Sequence, residues 1–352
     1  MEDRVYTAVG APNIALIKYW GKRDNKLILP YNSSISMTLS NPLYTKTSVV
    51  FSRKLRKDAI FINGVEQDLE DPEAAERFAI LGRLRELAGS NAHALIVSKN
   101  SFPTSAGIAS SASGAATLAF AVSKALGIAL SSQELSIFAR QVSGSACRST
   151  LGGFVKWRRG VKADGSDSFA VQIRDENHWP ELIDVIAIVS LSKKKVSSRS
   201  GMKQSVETSV LYNSRIRHAE EAAGRLETAI KNRDFETFAE ITMRDSNDMH
   251  AIMLDTWPPI FYMNDISRDV IYAVHELNAK EKHTVAAYTF DAGPNAHIIA
   301  LEKNKQIVYN ALRNIRGVRS VLESHVGGGP RLLEENKAHL IDAKLFKPKF
   351  RN

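Results

Sequence analysis

Five short stretches concentrate the residue types that could bind or transform an anionic small molecule. The first, Pro103-Thr104-Ser105-Ala106-Gly107-Ile108-Ala109-Ser110-Ser111-Ala112-Ser113-Gly114, is a glycine- and serine-rich loop between an expected strand and an expected helix. Side chains this small let backbone N–H groups reach a polyphosphate, and the positive end of the following helix favours the charge. Ser110 and Ser111 add hydroxyls at the helix start. The spacing is neither Gly-x-x-x-x-Gly-Lys-Ser/Thr nor Gly-x-Gly-x-x-Gly, so it supports neither P-loop nor dinucleotide-fold chemistry. The same composition would also serve close packing of a helix on a sheet.

The second stretch, Ser143-Gly144-Ser145-Ala146-Cys147-Arg148-Ser149-Thr150-Leu151-Gly152-Gly153, sets one guanidinium among hydroxyls and glycines. An arginine fork can pair two oxygens of a carboxylate or phosphate. Cys147 has no histidine close in sequence and reads as a small buried apolar residue rather than a nucleophile. Lys193 to Lys203 carries five cationic side chains and no acidic one, interleaved with Ser197, Ser198, Ser200 and Gly201. Such a run is either a solvated face or, at a strand end, a phosphate site. In Asn13 to Asp24, strand alternation would put Lys18 and Lys22 on one face, as one wall of a pocket. Finally, Asp291 follows an apolar run and precedes Gly293-Pro294, where an aspartate serves either a turn or a site.

The elements that must position these groups follow from composition and periodicity. The chain has 352 residues, 44% apolar and 24% charged, enough for two globular units. Its 47 basic and 38 acidic side chains leave a formal charge of +9, which admits a nucleic acid, a membrane surface or a phosphorylated small molecule as partner. One cysteine excludes an intrachain disulfide and a thiolate-built metal centre. No secretory or membrane-spanning segment is legible, so a cytoplasmic location without membrane association is expected. Alternation predicts strands at Ser34–Leu39, Thr47–Phe51, Ala59–Ile62 and His93–Val97. A helix is expected from Pro72 to Leu87, with Ala75, Phe78, Leu81, Leu84 and Leu87 on its core stripe and Gly89 at its end. Helices are also predicted at Ser111–Leu126 and Gln133–Val142, and a hairpin at Phe154–Ile173 turning at Asp164-Gly165. A boundary near Pro180 divides the chain into units 1–180 and 181–352. In the second unit, Val185–Leu191 reads as a strand buried on both faces, and Val285–Phe290 and His297–Leu301 as further strands. Helices are expected at Lys203–Lys231, Asp234–Met253, Ile266–Ala279 and Lys305–Ile315. The irregular alternation points to an α+β fold.

Together these stretches, with Asp164–Ser168, Ser197–Ser209, Asp245-Ser246-Asn247, Asp255–Ile260 and Phe290–Ala296, resemble the mevalonate diphosphate decarboxylases over about residues 5–330. These belong to the superfamily named for galactokinase, homoserine kinase, mevalonate kinase and phosphomevalonate kinase. The resemblance implies a two-domain small-molecule-kinase-like fold with its active site in a cleft between the domains, a homodimer, and ATP with Mg2+ as co-substrate and cofactor. It implies phosphorylation of the C3 hydroxyl of mevalonate 5-diphosphate, then loss of phosphate and carbon dioxide to leave isopentenyl diphosphate. By the same resemblance, Asp291 faces the C3 hydroxyl, Lys18 holds Asp291 ionised, Arg148 and Asn13 take the substrate carboxylate, and Ser111 aligns the transferred phosphoryl group. Tyr19, Lys22, Ser143, Gly144, Ser145, Ser198, Arg199 and Met202 fall at substrate positions, mostly those of the diphosphate. Asn100, Pro103, Ser105, Ala106, Gly107, Ala109 and Ser110 fall at the ATP site. No dedicated metal cage is expected.

Three other readings differ in what they need. A mevalonate 5-phosphate decarboxylase would perform the same C3 chemistry with fewer cations at the distal phosphate, whereas Lys22 and Arg199 suit a diphosphate. A mevalonate 3-kinase would not need Asp291, Lys18 and Arg148 together. A nucleic-acid-binding protein would account for the charge, but the chain has no aromatic-interleaved basic strand or helix-turn-helix pattern, and no nucleic-acid partner is expected.

Overall fold

The computed structural model describes residues 3–71, 74–75, 78–102, 110–192, 194–334 and 339–342, and the backbone of 347–348. Pro103, Ser105, Ala106, Gly107 and Ala109 of the expected phosphate loop lie outside the described residues, as do Lys193 and most of the basic tail. Twelve strands of four or more residues are described: β1 (Tyr6–Gly10), β2 (Asn13–Ile17), β3 (Ser34–Thr38), β4 (Thr45–Ser52), β5 (Ala59–Ile62), β6 (His93–Asn100), β7 (Phe154–Trp157), β8 (Ala170–Arg174), β9 (Leu182–Ile188), β10 (Ala286–Phe290), β11 (Ala296–Leu301) and β12 (Ser320–His325). The described α-helices are α1 (Ile80–Ala88), α2 (Ser110–Ala125), α3 (Ser132–Val142), α4 (Ser198–Thr208), α5 (Tyr212–Asn232), α6 (Phe235–Asp255), α7 (Asp265–Glu281) and α8 (Lys305–Arg313). None of the described helices is long and apolar enough to cross a membrane.

Three sheets carry the architecture. The first has the order β1-β4-β6-β5, with the short strands Arg331–Leu332 and Val65–Glu66 on its two edges. Helices α1, α2 and α3 cover it, because the stripe Phe78, Leu81, Leu84 and the small residues of α2 share one core with Val49, Phe51 and Ile96. The alanine and serine content of α2 allows the helix to lie close on the sheet: a Cβ on Gly10 would come within 2.4 Å of Thr117 Oγ1. The second sheet runs β8-β7-β3-β2 and the third β10-β11-β9-β12, both antiparallel throughout. One core joins them, with Ile14, Met37 and Phe154 from the second, Leu182, Ile186 and Ile299 from the third, and Ala223, Leu226, Phe238 and Ile241 from α5 and α6. The outer face of the third sheet packs on α7 and α8. Side-chain caps open several of the helices, as with the reciprocal Ser131–Glu134 capping box of α3 and Asp234 ahead of α6.

Several expectations are corrected. The helix expected at Lys203–Lys231 is two helices, α4 and α5. The break is fixed by Asp255 Oδ2, which accepts the Ser209 hydroxyl at 2.7 Å and the Leu211 N–H at 3.1 Å. The strand expected at Val185–Leu191 begins earlier and ends at Ile188, because Asn295 Oδ1 takes the N–H groups of Val189 and Ser190 at 2.7 and 3.0 Å. Leu87, placed on the core stripe of α1, is 61% exposed. Lys18 and Lys22 do not share a strand face, since β2 bulges between Ala15 and Ile17 and ends before Lys18, and Lys22 opens a separate short strand.

After β12 the chain returns to the first half. Gly153 N–H donates to Gly327 O at 2.8 Å, Gly327 N–H to Thr38 O at 2.8 Å, and Thr38 N–H to Gly153 O at 2.9 Å. Arg331 and Leu332 then pair with Val9 and Ala8, and His339 Nδ1 lies 2.6 Å from Thr7 Oγ1. Gly153 sits at φ +74° with the Arg174 carbonyl oxygen only 2.2 Å from where a Cβ would stand. Gly153→Ala is expected to cost about 3 kcal/mol of unfolding free energy, read from urea titration, through backbone strain and steric overlap together. A loss under about 0.5 kcal/mol would show that this crossing has room to relax.

Candidate active site

A cleft of about 830 Å³ opens between the halves of the chain. From the first half it takes residues of β2, β5, β6, α2 and the 3-10 turn Gly144–Thr150; from the second, the segment from Lys194 to Met202, Met249, Asp291 and Ala292. Asn13, Lys18, Tyr19, Lys22, Asn100, Ser110, Ser111, Ser143, Gly144, Ser145, Arg148, Ser198, Arg199, Met202 and Asp291 all line it. Every candidate residue that the structure describes is thus in one cavity. Its lining includes an apolar group, Ile60, Ile62, Phe78, Ile96 and Leu118, which belongs to the core of the first sheet, and a set of cations, Lys22, Lys194, Lys195 and Arg199.

Lys18 and Asp291 meet where the halves touch. Each is the first residue after a strand, β2 and β10, and Lys18 Nζ donates to Asp291 Oδ1 at 2.7 Å. The lysine side chain is 1% exposed and the aspartate 27%, so the pair presents its carboxylate to the cleft. Burial pushes the Asp291 carboxyl up, but the charge and hydrogen bond of Lys18, with His297 and Arg148 further off, outweigh it and hold Asp291 below the ordinary carboxylate range. Burial draws Lys18 below its usual value, opposed chiefly by Asp291.

Arg148 is buried at the cleft floor and meets no carboxylate within ion-pair distance among the described residues. Its guanidinium is held by neutral oxygens: Nε and Nη2 donate to Asn13 Oδ1 at 3.3 and 3.2 Å, and Nη1 to Ser34 Oγ at 2.5 Å. Asn13 is oriented in turn by donating from Nδ2 to Ser149 Oγ at 2.7 Å and Ser145 O at 3.2 Å. A buried cation fixed this way and facing an open cleft is arranged to receive an anion. Beside it, Tyr19 packs on Trp157 at 4.7 Å between ring centroids, and burial raises its phenol. The Tyr19 ring lies so near Gly144 that any Cβ there would approach it to 2.8 Å. Cys147 is fully buried and its thiol is pushed up to about 12, which leaves it inert as a nucleophile.

Sequence reasoning missed the groups behind this surface. Asp245 Oδ2 accepts the Lys18 backbone N–H at 2.6 Å and is held by Arg215 at 2.8 and 3.1 Å. Lys194 Nζ donates to Ser198 Oγ at 2.8 Å and to the Ala292 carbonyl at 3.2 Å, tying the basic loop to the residue after Asp291. Asp245 within the stretch Asp245-Ser246-Asn247 and Lys194 within the basic run Lys193 to Lys203 gave the only signals. For a metal, Asp291 is the sole carboxylate lining the cleft among the described residues. Elsewhere Glu302, Glu323 and His325 come close enough to share a cation, but the Lys305 ammonium already lies 2.7 Å from Glu323.

His250, on α6, packs edge-on against Phe290 with centroids 6.3 Å apart. Burial and the nearby Lys18 charge lower its imidazole from 6.5 to about 4, outweighing the carbonyls of Phe290 and Asp291. The folded chain therefore keeps His250 neutral where the unfolded chain protonates it, so stability is lost as pH falls from about 6.5 towards 4. Comparing urea unfolding of wild type and His250→Phe at pH 7 and pH 4.5, the wild type is expected to lose on the order of 2 kcal/mol more than the variant over that interval. Equal losses would remove His250 as the source.

The first half of the chain matches the model of the diphosphomevalonate decarboxylase-like N-terminal domain over residues 10–170, and the second that of the mevalonate 5-diphosphate decarboxylase C-terminal domain over 184–349. Among similar proteins, the diphosphomevalonate decarboxylase mvd1 of Aspergillus fumigatus is 48% identical over 326 residues, covering 88% of this chain and 80% of its own. That of Schizosaccharomyces pombe is 41% identical over 99% of both. The solved mevalonate diphosphate decarboxylase of Trypanosoma brucei superposes with a TM-score of 0.88 at 36% identity, over 95% of this chain and 99% of that one. Another similar structure, at TM-score 0.84 and 36% identity over 94% and 99%, is a complex with MVAPP, AMPPCP and magnesium. Matched in both halves and along nearly its whole length, the chain belongs to the diphosphomevalonate decarboxylase family.

Proposed function

We propose roles for the cleft residues in the reaction of this carbon–carbon lyase, the ATP-dependent decarboxylation of mevalonate 5-diphosphate to isopentenyl diphosphate through a phosphorylated C3 hydroxyl. The observation that carries the assignment is the pairing of two buried cations with unlike surroundings in one cleft. Lys18 has its carboxylate, Asp291, and Arg148 has none. Arg148 is the seat for the substrate carboxylate, and Asn13 and Ser34 keep its fork fixed while that carboxylate is bound. The group must hold C1 in line without cancelling its charge, because its electrons flow towards C3 as phosphate leaves and carbon dioxide forms.

Asp291 stands beside the C3 hydroxyl. A carboxylate held low by Lys18 is a weak base, so its main contribution is to accept a hydrogen bond and aim the oxygen, taking the proton late in a loose phosphoryl transfer. Ser110 and Ser111, at the start of α2, face the nucleotide phosphates, with Asn100 on the same cleft. The apolar lining of the cleft suits the base. Tyr19, Lys22, Ser143, Gly144, Ser145, Ser198, Arg199 and Met202 surround the diphosphate, and this cationic wall favours two phosphates over the one of the monophosphate reading.

Magnesium fits as a companion of ATP. With Asp291 the single carboxylate lining the cleft among the described residues, already paired with Lys18, the ion would be held by phosphate oxygens of ATP, with a hydroxyl such as Ser111 available to it, and would supply charge neutralisation during transfer. A cytoplasmic homodimer and a division of the chain near Pro180 are the organisation that the family resemblance supports.

The reading is tested by supplying mevalonate, its 5-phosphate or its 5-diphosphate with ATP and magnesium while following ADP and carbon dioxide separately. Equal yields from the diphosphate alone are expected; equal yields from the monophosphate would move the substrate assignment. Asp291→Asn is expected to lower kcat about a thousandfold with both KM values within about threefold, and a kcat above roughly a tenth of wild type would remove Asp291 from the reacting hydroxyl. Arg148→Gln is expected to raise the KM for mevalonate 5-diphosphate and lower kcat, each about tenfold or more; an unchanged kcat/KM would break the carboxylate assignment.

A further inference from the structure

We propose that Asp245 and Ser246, neighbours on α6, are positioning residues that set the separation of Lys18 and Asp291, an inference that rests on the role given to that pair above. Lys18 and Asp291 come from opposite halves of the chain and each stands just beyond the end of its strand, where the sheet ladder no longer holds it. Something else must fix both backbones. For Lys18, the bulge in β2 turns the main chain off the sheet, and its N–H goes to Asp245 Oδ2 at 2.6 Å. Its carbonyl accepts from Asn32 Nδ2 at 3.0 Å and from Arg215 Nη2 at 3.5 Å. Arg215 also grips both oxygens of Asp245, at 2.8 and 3.1 Å, so the acceptor cannot turn away.

One residue along α6, Ser246 Oγ accepts the N–H of Phe290 at 3.0 Å, and Phe290 is the residue before Asp291. Successive residues on a helix point about 100° apart, so one dipeptide can hold two strands on different sides. Asp245 and Ser246 are buried and neither lines the cleft, so they act through Lys18 and Asp291 and touch no reactant. Both ends of the 2.7 Å ion pair are thereby referred to one rigid turn of helix. An ångström of error at a reacting group costs rate far more than it costs binding, which gives such a device a kinetic signature.

The test is a double-mutant cycle on the full chain. Ser246→Ala removes one buried hydroxyl and leaves a better helix former in place; Asp245→Asn keeps an acceptor oxygen but loses the carboxylate. Each is made in wild type and in Lys18→Met, and kcat and the KM values for mevalonate 5-diphosphate and ATP are measured. In wild type, each substitution is expected to lower kcat about ten- to a hundredfold with both KM values within about threefold. In Lys18→Met, each is expected to cost less than about threefold further, because the group through which it acts is already gone. Equal fold losses in both backgrounds, a change confined to KM, or a wild-type kcat in the single variants would overturn the proposal. Should Asp245→Asn fail to fold with Arg215 left uncompensated, Ser246→Ala alone decides. A wild-type kcat in Lys18→Met would instead show that the role of the pair was misassigned, and the positioning role would fall with it.

Discussion

A buried ammonium needs a carboxylate, and the one that Lys18 finds belongs to the other half of the chain. That requirement orders much of the structure. The Asp291 partner can be offered only if the third sheet is held against the second, and the shared core of Ile14, Met37 and Phe154 with Leu182, Ile186 and Ile299 does this, with the buried His297–Asp184 contact at 2.7 Å beside it. Helices α5 and α6 fill the space between and supply the Arg215–Asp245 pair, which is itself buried. The charges of the interface are thus satisfied in two tiers, one facing the cleft and one behind it. The exception is Arg148, whose guanidinium is given neutral partners and an open side. Removing charge from water without a counter-ion is costly, and the cost is recovered when an anionic ligand arrives.

The same contrast explains why the cleft can bind a highly charged substrate without collapsing on itself. Its lining brings Lys22, Lys194, Lys195 and Arg199 into one cavity with Ile60, Phe78 and Ile96 of the first-sheet core. The basic loop is tied back by Lys194 to the carbonyl of Ala292, so the cationic part of the cleft is joined to the chain that carries Asp291.

Much of this was legible from residue types. Asp291 stood out because an acidic residue interrupts an apolar strand just before Gly293-Pro294, and Arg148 because it is the only charge in a run of glycines and hydroxyls. What the sequence could not show were contacts made across long separations: the Lys18 N–H on Asp245, the Phe290 N–H on Ser246, and the use of Asp255 to split α4 from α5. Periodicity assumes an unbroken element, so the bulge in β2 misplaced Lys18 relative to Lys22, and helical spacing carried the stripe of α1 one turn too far, to Leu87.

The return of the chain after β12 has an effect on the order of events during synthesis. Strand β1 emerges from a ribosome well before Arg331–Leu332, the segment that pairs with its outer edge and follows it by most of the fold. Until then the first sheet has an open flank of unpaired N–H and C=O groups, a template for pairing with another chain. The first half of the protein, although it carries most of the cleft, therefore waits on the second for its own completion, and its exposure to aggregation lasts while the intervening segments are made.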